Sequence, residues 1–170
     1  ATKYVGKRIL KYNPKRKIRI RFSLMPQFLS DMLEPGTPKI IDRIRAINEY
    51  YDAGYDVHIN YSPIVMFKGF KQSYGMLFEM IDKLIDDDIK QNVKAECIFL
   101  THNKVLHAHN VENETQGEEY LWQPGIQENK LSEYGGENIR YDRHLKKGYI
   151  RKFLKLHKKT LPWQHVRYIF

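Results

Sequence analysis

The stretch KIRIRFS, residues 17–23, decides the fold, because its apolar and polar side chains alternate without interruption. A period of two residues is typical of a β-strand with one apolar and one polar face. The polar face carries Arg19, Arg21 and Ser23. Ser23 ends the strand, and the carboxyl ends of strands are where α/β proteins bind their ligands. The stretch therefore predicts a strand that presents a hydroxyl group to a ligand.

The stretch DVHINYSPI, residues 56–64, repeats this arrangement, with His58, Asn60 and Ser62 on its polar face. Parallel strands that are covered on both faces are usually apolar on both. The polar faces therefore favour the interior of a barrel, or of part of one, that holds a polar ligand; the alternative is an open sheet with one face in water. We expect Ser23 and Ser62 on the same rim of the sheet, with side chains within about 10 Å.

The rest of the chain alternates between helix and strand patterns. Helices are predicted from Thr37-Pro38 to Gly54, over 71–90, near 103–111 and over 142–159, and further strands over 95–100 and 165–170. This alternation predicts an α/β fold with a parallel sheet and helical crossovers. The 170 residues fit one domain, which comprises a basic N-terminal segment (1–15), a loop-rich part (112–139) and a basic C-terminal helix and strand (140–170).

Positive charge is concentrated at the two ends of the chain. The net charge is +9; residues 1–22 contain nine lysines and arginines and no acid, and residues 140–170 contain ten and one acid. This asymmetry predicts a polyanionic partner, with nucleic acid as the first candidate. The alternative is a basic helix that is simply solvated.

Five residues at or near the basic C-terminal helix are candidates for binding such a partner. Arg143 and Lys147 lie on the predicted helix and could contact phosphate groups. Tyr134, Arg140 and Tyr141 precede it and could offer a stacking surface with a cation nearby. The sequence therefore predicts a DNA-facing surface at this end of the chain.

His102, His107 and His109 raise the question of a metal site. His107 and His109 fall in a predicted helix, where positions two apart point in different directions. We therefore predict no metal site. His102 follows the strand at 95–100, so we expect it to face a substrate; the alternative is a histidine whose hydrogen bonds are satisfied in a turn.

The composition excludes several classes of protein. A single cysteine, Cys97, leaves no disulfide framework and no closed cysteine metal site, and its apolar strand predicts a buried, unreactive thiol. There is no run of about 18 apolar residues, so no membrane partner is expected. The first residues lack the pattern of a signal peptide, and a cytoplasmic location is the simplest expectation.

Several short motifs follow one another along the chain. They are Arg21-Phe22-Ser23, Glu34-Pro35-Gly36-Thr37, Ala53-Gly54-Tyr55, Pro63-Ile64, Phe99-Leu100-Thr101-His102-Asn103, Gly117-Glu118-Glu119-Tyr120-Leu121-Trp122 and Gly135-Gly136-Glu137-Asn138-Ile139-Arg140-Tyr141. In this order they resemble the spore photoproduct lyase family of radical S-adenosylmethionine enzymes. The later motifs resemble the branch of that family found outside spore formers.

The resemblance implies a partial (β/α) TIM-like barrel, of which this chain is the C-terminal half. It also implies a lyase that repairs DNA photoproducts with S-adenosylmethionine and a 4Fe–4S cluster. In the family, the serine of the Arg-Phe-Ser motif lies beside S-adenosylmethionine. The resemblance gives this role to Ser23, and Ser62 at the end of the next strand is the second candidate.

The family holds its cluster with three cysteines, C-x3-C-x2-C, in the N-terminal half. Cys97 cannot replace three ligands. We therefore expect this chain alone to lack the cluster and to be inactive, with no assignable catalytic residue. The N-terminal half of the enzyme is then its expected partner.

A second hypothesis is a stand-alone basic α/β module that binds nucleic acid without catalysis. The polar sheet face distinguishes the two hypotheses, because its covering by another element or by a second copy would indicate a missing half. An open half-barrel would expose unpaired strand edges, which favours a homodimer.

Overall fold

The computed structural model describes residues 1–131 and 135–170. Its strands are β1 (Arg19–Ser23), β2 (Asp56–Ile64), β3 (Lys94–Phe99), β4 (Thr101–His102), β5 (Gln127–Leu131), β6 (Glu137–Tyr141) and β7 (Val166–Ile169). Its helices are α1 (Gln27–Leu33), α2 (Ile40–Asp52), α3 (Phe70–Leu84), α4 (Lys104–Glu112), α5 (Glu118–Leu121) and α6 (Arg143–Thr160). Short 3-10 turns span Arg8–Lys11, Lys90–Asn92 and Pro124–Ile126.

The main sheet has four parallel strands in the order β1-β2-β3-β7, and helices connect each strand to the next. Thr2 forms a parallel bridge with Phe22 at the outer edge of β1. This arrangement confirms the predicted α/β fold with a parallel sheet and helical crossovers. In the part of the chain that the structure describes, no helix combines the length and the apolar character that a membrane span requires.

The apolar core lies between one face of this sheet and the helices. Phe153 of α6 is fully buried, with its ring centroid 5.7 Å from that of Tyr61 on β2 and 5.4 Å from that of Phe78 on α3. On β1, the ring of Phe22 meets Tyr50 of α2 edge to face at 5.2 Å. Burying such large side chains stabilises the fold by about 1.5–3 kcal/mol each. The apolar positions of the alternating strands therefore supply the core, as their spacing predicts.

A second sheet, antiparallel and of three strands in the order β4-β6-β5, covers part of the segment that the sequence predicts to be loop-rich. Residues 112–139 contain α5, β5 and most of β6. The sequence did not predict β5, because this strand, QENKL, has no buried residue and so shows no apolar alternation. Backbone pairing with β6 forms this strand.

The loop after β1 also differs from the prediction. Residues Gln27–Leu33 form helix α1, which the sequence did not predict, and α2 begins at Ile40 rather than at Thr37-Pro38. Thr37 does not cap α2 with its side chain; its hydroxyl donates to the carbonyl of Glu34 at 2.6 Å and accepts from Arg43 Nη2 at 2.6 Å. The Thr37 hydroxyl, which was expected to cap α2, is therefore engaged by the buried guanidinium of Arg43.

Candidate functional site

Ser23 and Ser62 lie together at the carboxyl ends of β1 and β2. The Ser23 hydroxyl donates to the backbone carbonyl of Ser62 at 3.1 Å, which confirms that the two serines share one rim of the sheet. The backbone carbonyl of Ser23 accepts from Arg43 Nη1 at 3.1 Å. Ser23 is buried and Ser62 is partly exposed. Hydrogen bonds to the backbone carbonyls of Ser23 and Ser62 thus hold the rim in place and leave the Ser62 side chain accessible.

A cleft of about 360 Å³ opens at this rim. Its polar lining includes Lys3, Glu34, Ser62, His102 and Asn110. The cleft therefore joins the ends of β2 and β4 to helix α4. A ligand held there would contact residues that are far apart in the sequence.

Below the rim, a row of polar side chains crosses the inner face of the sheet, because parallel register aligns Ser23 with Asn60, Asn60 with Glu96 and Glu96 with Tyr168. This face does not carry the apolar packing seen on the helix side. Two of its buried atoms, His58 Nε2 and Asn60 Oδ1, have no hydrogen-bond partner among the described residues. Buried polar atoms are rarely left unpaired, so these two mark a place where a ligand could bind.

The centre of the row is Glu96, which is 1% exposed. Its carboxylate accepts hydrogen bonds from Arg21 at 3.2 Å, Arg167 at 2.7 Å and Tyr168 at 2.6 Å. Burial alone would raise the pKa of Glu96, but hydrogen bonds from Tyr168, His58, Arg21 and Arg167 outweigh it and lower the pKa to about 2. This residue was not predicted from the sequence, although an acid within the apolar strand AECIFL was a signal for it.

His58 lies between two carboxylates. Its Nδ1 is 3.2 Å from Glu96 Oε1, and its Nε2 is 3.3 Å from Asp56 Oδ1 without the geometry of a hydrogen bond. Burial lowers the pKa of His58, although Glu96 and Asp56 both oppose this shift. The inner face therefore holds charged and polar groups in fixed positions.

A basic groove of about 430 Å³ lies where the antiparallel sheet meets α6. Its charged lining consists of Lys130, Arg140, Arg143, Lys146 and Lys147. Burial lowers the pKa of Lys146, and the positive charges of Arg140 and Lys130 lower it further. A cluster of like charges of this kind favours an anion, because an anion relieves the repulsion.

The structure places three of the predicted polyanion-binding residues in this groove. Arg140, Arg143 and Lys147 all line the groove, and Arg140 also pairs with Glu128 at 2.7 Å. Tyr134 lies outside the described residues. Tyr141 was wrongly predicted to offer a stacking surface, because its ring is fully buried.

The burial of Tyr141 has a clear structural cause. Its hydroxyl oxygen accepts a hydrogen bond from the backbone N–H of Met66 at 2.7 Å. Its ring packs edge to face against Phe99 at 6.2 Å and Tyr149 at 5.4 Å. Tyr141 therefore anchors β6 to the core and presents no ring face to a nucleic acid base.

His102 lies at the rim cleft, with its Nε2 2.9 Å from Glu118 Oε1. His107 of α4 approaches the same oxygen, with its Nδ1 at 2.6 Å. His109 is exposed on another side of the helix, as its spacing predicts. Glu118 was not predicted to join the two histidines, because 16 residues separate it from His102.

Cys97 is fully buried in β3. Burial, helped by the nearby charge of Glu96, raises the pKa of its thiol to about 12. The thiolate that metals and nucleophilic chemistry require is therefore disfavoured.

A family model described as spore photoproduct lyase matches residues 1–170, the whole chain. The chain belongs to the spore photoproduct lyase family. Among curated proteins, the spore photoproduct lyase of Bacillus subtilis (strain 168) is 32% identical over 82 residues, which are 48% of this chain and 24% of that protein.

Solved structures of spore photoproduct lyase share the fold of this chain. One is a double mutant with bound AdoMet and dinucleoside spore photoproduct, and another is a complex with dinucleoside spore photoproduct. Each gives a TM-score of 0.88 at 21% identity, and the match covers 99% of this chain and 50% of the solved one. The chain thus spans half the length of these spore photoproduct lyases and shares the fold of the half that it matches. The described sheet does not close into a barrel.

Proposed function

We propose that this chain is the C-terminal part of a radical S-adenosylmethionine lyase of the spore photoproduct lyase type, which repairs DNA photoproducts in the cytoplasm. In this proposal the chain supplies part of the S-adenosylmethionine site and a basic surface that faces DNA. Family membership supports the enzyme class. The observation that carries the proposal is the polar inner sheet face, with its unpaired buried Asn60 Oδ1 below the shared rim of Ser23 and Ser62.

The residues of this rim fit S-adenosylmethionine. The cofactor carries an amine and ribose hydroxyls, which can donate to Asn60 Oδ1 or to the oxygen atoms of the two serine hydroxyls. Ser23 already donates its proton to Ser62, so its hydroxyl oxygen is left to accept. When it is bound beside a cluster, S-adenosylmethionine supplies the radical chemistry of the family; the residues of this chain bind and orient it.

The 4Fe–4S cluster does not fit the residues of this chain. Three thiolates are needed to hold such a cluster and leave one iron for the cofactor. The chain has one cysteine, Cys97, and that thiol is buried. We therefore assign the cluster to the N-terminal half, and we propose that this half covers the inner sheet face; pairing of two copies of this chain is the alternative partner.

The basic groove is the proposed site for the DNA backbone. Arg143 and Lys147 are exposed there, and Arg140 lies beside them. Such contacts give affinity that does not depend on sequence and falls as salt displaces them. His102 lines the rim cleft with Ser62 and is the proposed contact for the lesion through its Nδ1, since its Nε2 faces Glu118.

Titration of duplex DNA against salt tests the groove. Each phosphate contact contributes about −0.9 to the slope of log K against log salt. Arg143→Gln and Lys147→Gln are each expected to flatten the slope by about that amount. Lys159→Gln is the matched control, because Lys159 is an exposed lysine on the same helix outside the groove. Affinity that is insensitive to salt, or an equal effect of the control, would show that the groove does not bind phosphate.

Calorimetric titration with S-adenosylmethionine tests the rim. Asn60→Ala is expected to weaken binding by about fivefold or more, because it removes a buried acceptor. Asn129→Ala is the control, since Asn129 is exposed on β5. Failure of the chain to bind S-adenosylmethionine would refute its share in the cofactor site. The stand-alone nucleic-acid module would then be favoured. Its inner sheet face would need no second half to neutralise the buried carboxylate of Glu96, because donors of this same chain already pair it.

A further inference from the structure

Three potential metal ligands converge beside the rim cleft. Ligand atoms of His102, His107 and Glu118 all lie within 4.8 Å of one another. His102 ends β4, His107 lies on α4, and Glu118 is the first residue of α5. Both imidazoles direct a nitrogen at Glu118 Oε1, at 2.9 and 2.6 Å. Three separate elements thus aim their ligand atoms at one point.

Neighbouring side chains hold these ligands in position. The second carboxylate oxygen of Glu118 accepts from Asn110 Nδ2 at 2.5 Å. The ring of His107 stacks on Trp122, with centroids 3.9 Å apart and planes at 6°. Groups in this supporting position orient metal ligands and fix the tautomer of a histidine. The cluster is also largely withdrawn from water, since His102 is 6% and Glu118 is 9% exposed.

Helix α4 contributes almost nothing to the apolar core, whereas Tyr120 and Leu121 of α5 pack against it. Helix α4 has no buried residue, and the large apolar side chains of Val105 and Val111 are 79% and 58% exposed. In the four-residue helix α5 the buried residue is Glu118. A segment that cannot bury enough apolar surface is commonly held by a metal ion instead. The cluster occupies the place that apolar contacts would otherwise take.

We propose that His102, His107 and Glu118 bind a divalent transition-metal ion, Zn²⁺ in the first instance. Two imidazole nitrogens and one carboxylate are a ligand set that zinc favours, and water would complete four-coordination. The ion would lie between the two imidazole nitrogens and Glu118 Oε1, and each neutral histidine would then carry its proton on its other ring nitrogen. This proposal reverses the prediction of no metal site; His109 is exposed and takes no part, and Glu118 is the third ligand.

Metal binding to the whole chain tests this site. The chain is stripped with a chelator and then titrated with Zn²⁺ in competition with a chromophoric chelator, and with Co²⁺ while its visible d–d absorption is recorded. We expect one ion per chain, a four-coordinate Co²⁺ spectrum and no competition from Mg²⁺ or Ca²⁺. His102→Ala and His107→Ala are expected to weaken Zn²⁺ binding by at least about tenfold, and Asn110→Ala by about tenfold.

His109→Ala is the matched control, because it removes an exposed histidine from the same helix. Glu118→Gln separates a metal site from a hydrogen-bonded cluster, since glutamine keeps the size and one acceptor oxygen but is a poor zinc ligand. Loss of Zn²⁺ affinity in this variant, with circular dichroism unchanged, supports the site. If the wild-type chain binds no stoichiometric Zn²⁺, or if neither Zn²⁺ nor chelator changes its melting temperature, the three residues form a hydrogen-bonded cluster only. Equal loss of affinity in His109→Ala would also overturn the proposal.

Discussion

Arg43 and Glu34 form a buried ion pair: Arg43 Nη1 lies 2.9 Å from Glu34 Oε2, and the two side chains are 0% and 5% exposed. The same guanidinium reaches the backbone carbonyl of Ser23 at 3.1 Å. One buried charge therefore joins the loop after α1 to the end of β1. The position of the rim serine depends on this pair.

Replacing Arg43 should strongly destabilise the fold. Arg43→Met is expected to lower the free energy of unfolding by about 3–5 kcal/mol, because the buried carboxylate of Glu34 is left with the partly exposed Lys3 as its charged partner and the buried carbonyl of Ser23 loses its donor. Urea-induced unfolding measures the change. Arg45→Met, an exposed position on the same helix, is the control and should shift stability by less than about 0.5 kcal/mol. Equal effects of the two variants would contradict the role of the pair.

Glu96 should make stability depend on acid pH. Its pKa is about 2 in the fold against an ordinary value of 4.5, so the folded state favours the ionised carboxylate. The stabilisation is complete above about pH 4.5 and is lost as the pH falls towards 2. It is worth up to about 3 kcal/mol.

Unfolding measured across this pH range tests the role of Glu96. Glu96→Gln should flatten the profile, whereas Glu79→Gln, which changes an exposed acid on α3, should leave it as it is. A wild-type profile that stays level between pH 4.5 and 2 would disprove the depressed pKa.

Phe153 should be among the most costly core positions. It is fully buried between Tyr61 and Phe78, so Phe153→Ala would leave a cavity and cost about 3–5 kcal/mol of unfolding free energy. Leu145→Ala changes a side chain on the same helix that is 40% exposed, and about 1 kcal/mol or less is expected. Thermal and urea unfolding should rank the variants in this order, and the reverse order would refute the packing of α6.

The two rim serines should differ in their contribution to stability. Ser23→Ala removes the donor of the hydrogen bond to Ser62 and is expected to cost about 1 kcal/mol. Ser62→Ala keeps the accepting group, which belongs to the backbone, and should be close to neutral. Unfolding curves of the two variants compare them directly; a larger loss for Ser62→Ala would mean that its hydroxyl makes the contact.

The sequence predicted the parallel sheet and the shared rim because both follow from local alternation. Ser23 and Ser62 each end a strand with a clear period of two, and parallel strands end on the same side. Helix α1 and strand β5 were missed because they are short and their residues show little periodicity. Helix α1 packs against residues distant in sequence such as Phe67, and β5 is formed by backbone pairing with β6; an apolar pattern encodes neither contact.

The site residues divide in the same way. Arg143 and Lys147 were predicted from a run of charge on one helix, and they line one groove. Tyr141 lies beside that run in sequence but points into the core, because the register of β6 decides its direction. Glu96 and Glu118 gain their partners across long stretches of chain, and only the folded arrangement reveals them.

Alternation along β1 has a practical consequence for mutagenesis. Phe22 is buried among the helices, whereas its neighbour Arg21 reaches a carboxylate on the opposite side. Substitutions at neighbouring positions of β1 therefore test different properties, namely core packing at one position and charge pairing at the next. A scan from Arg19 to Phe22 should yield folding defects at Ile20 and Phe22 and defects of recognition or charge at Arg19 and Arg21, which separates the two phenotypes within four positions.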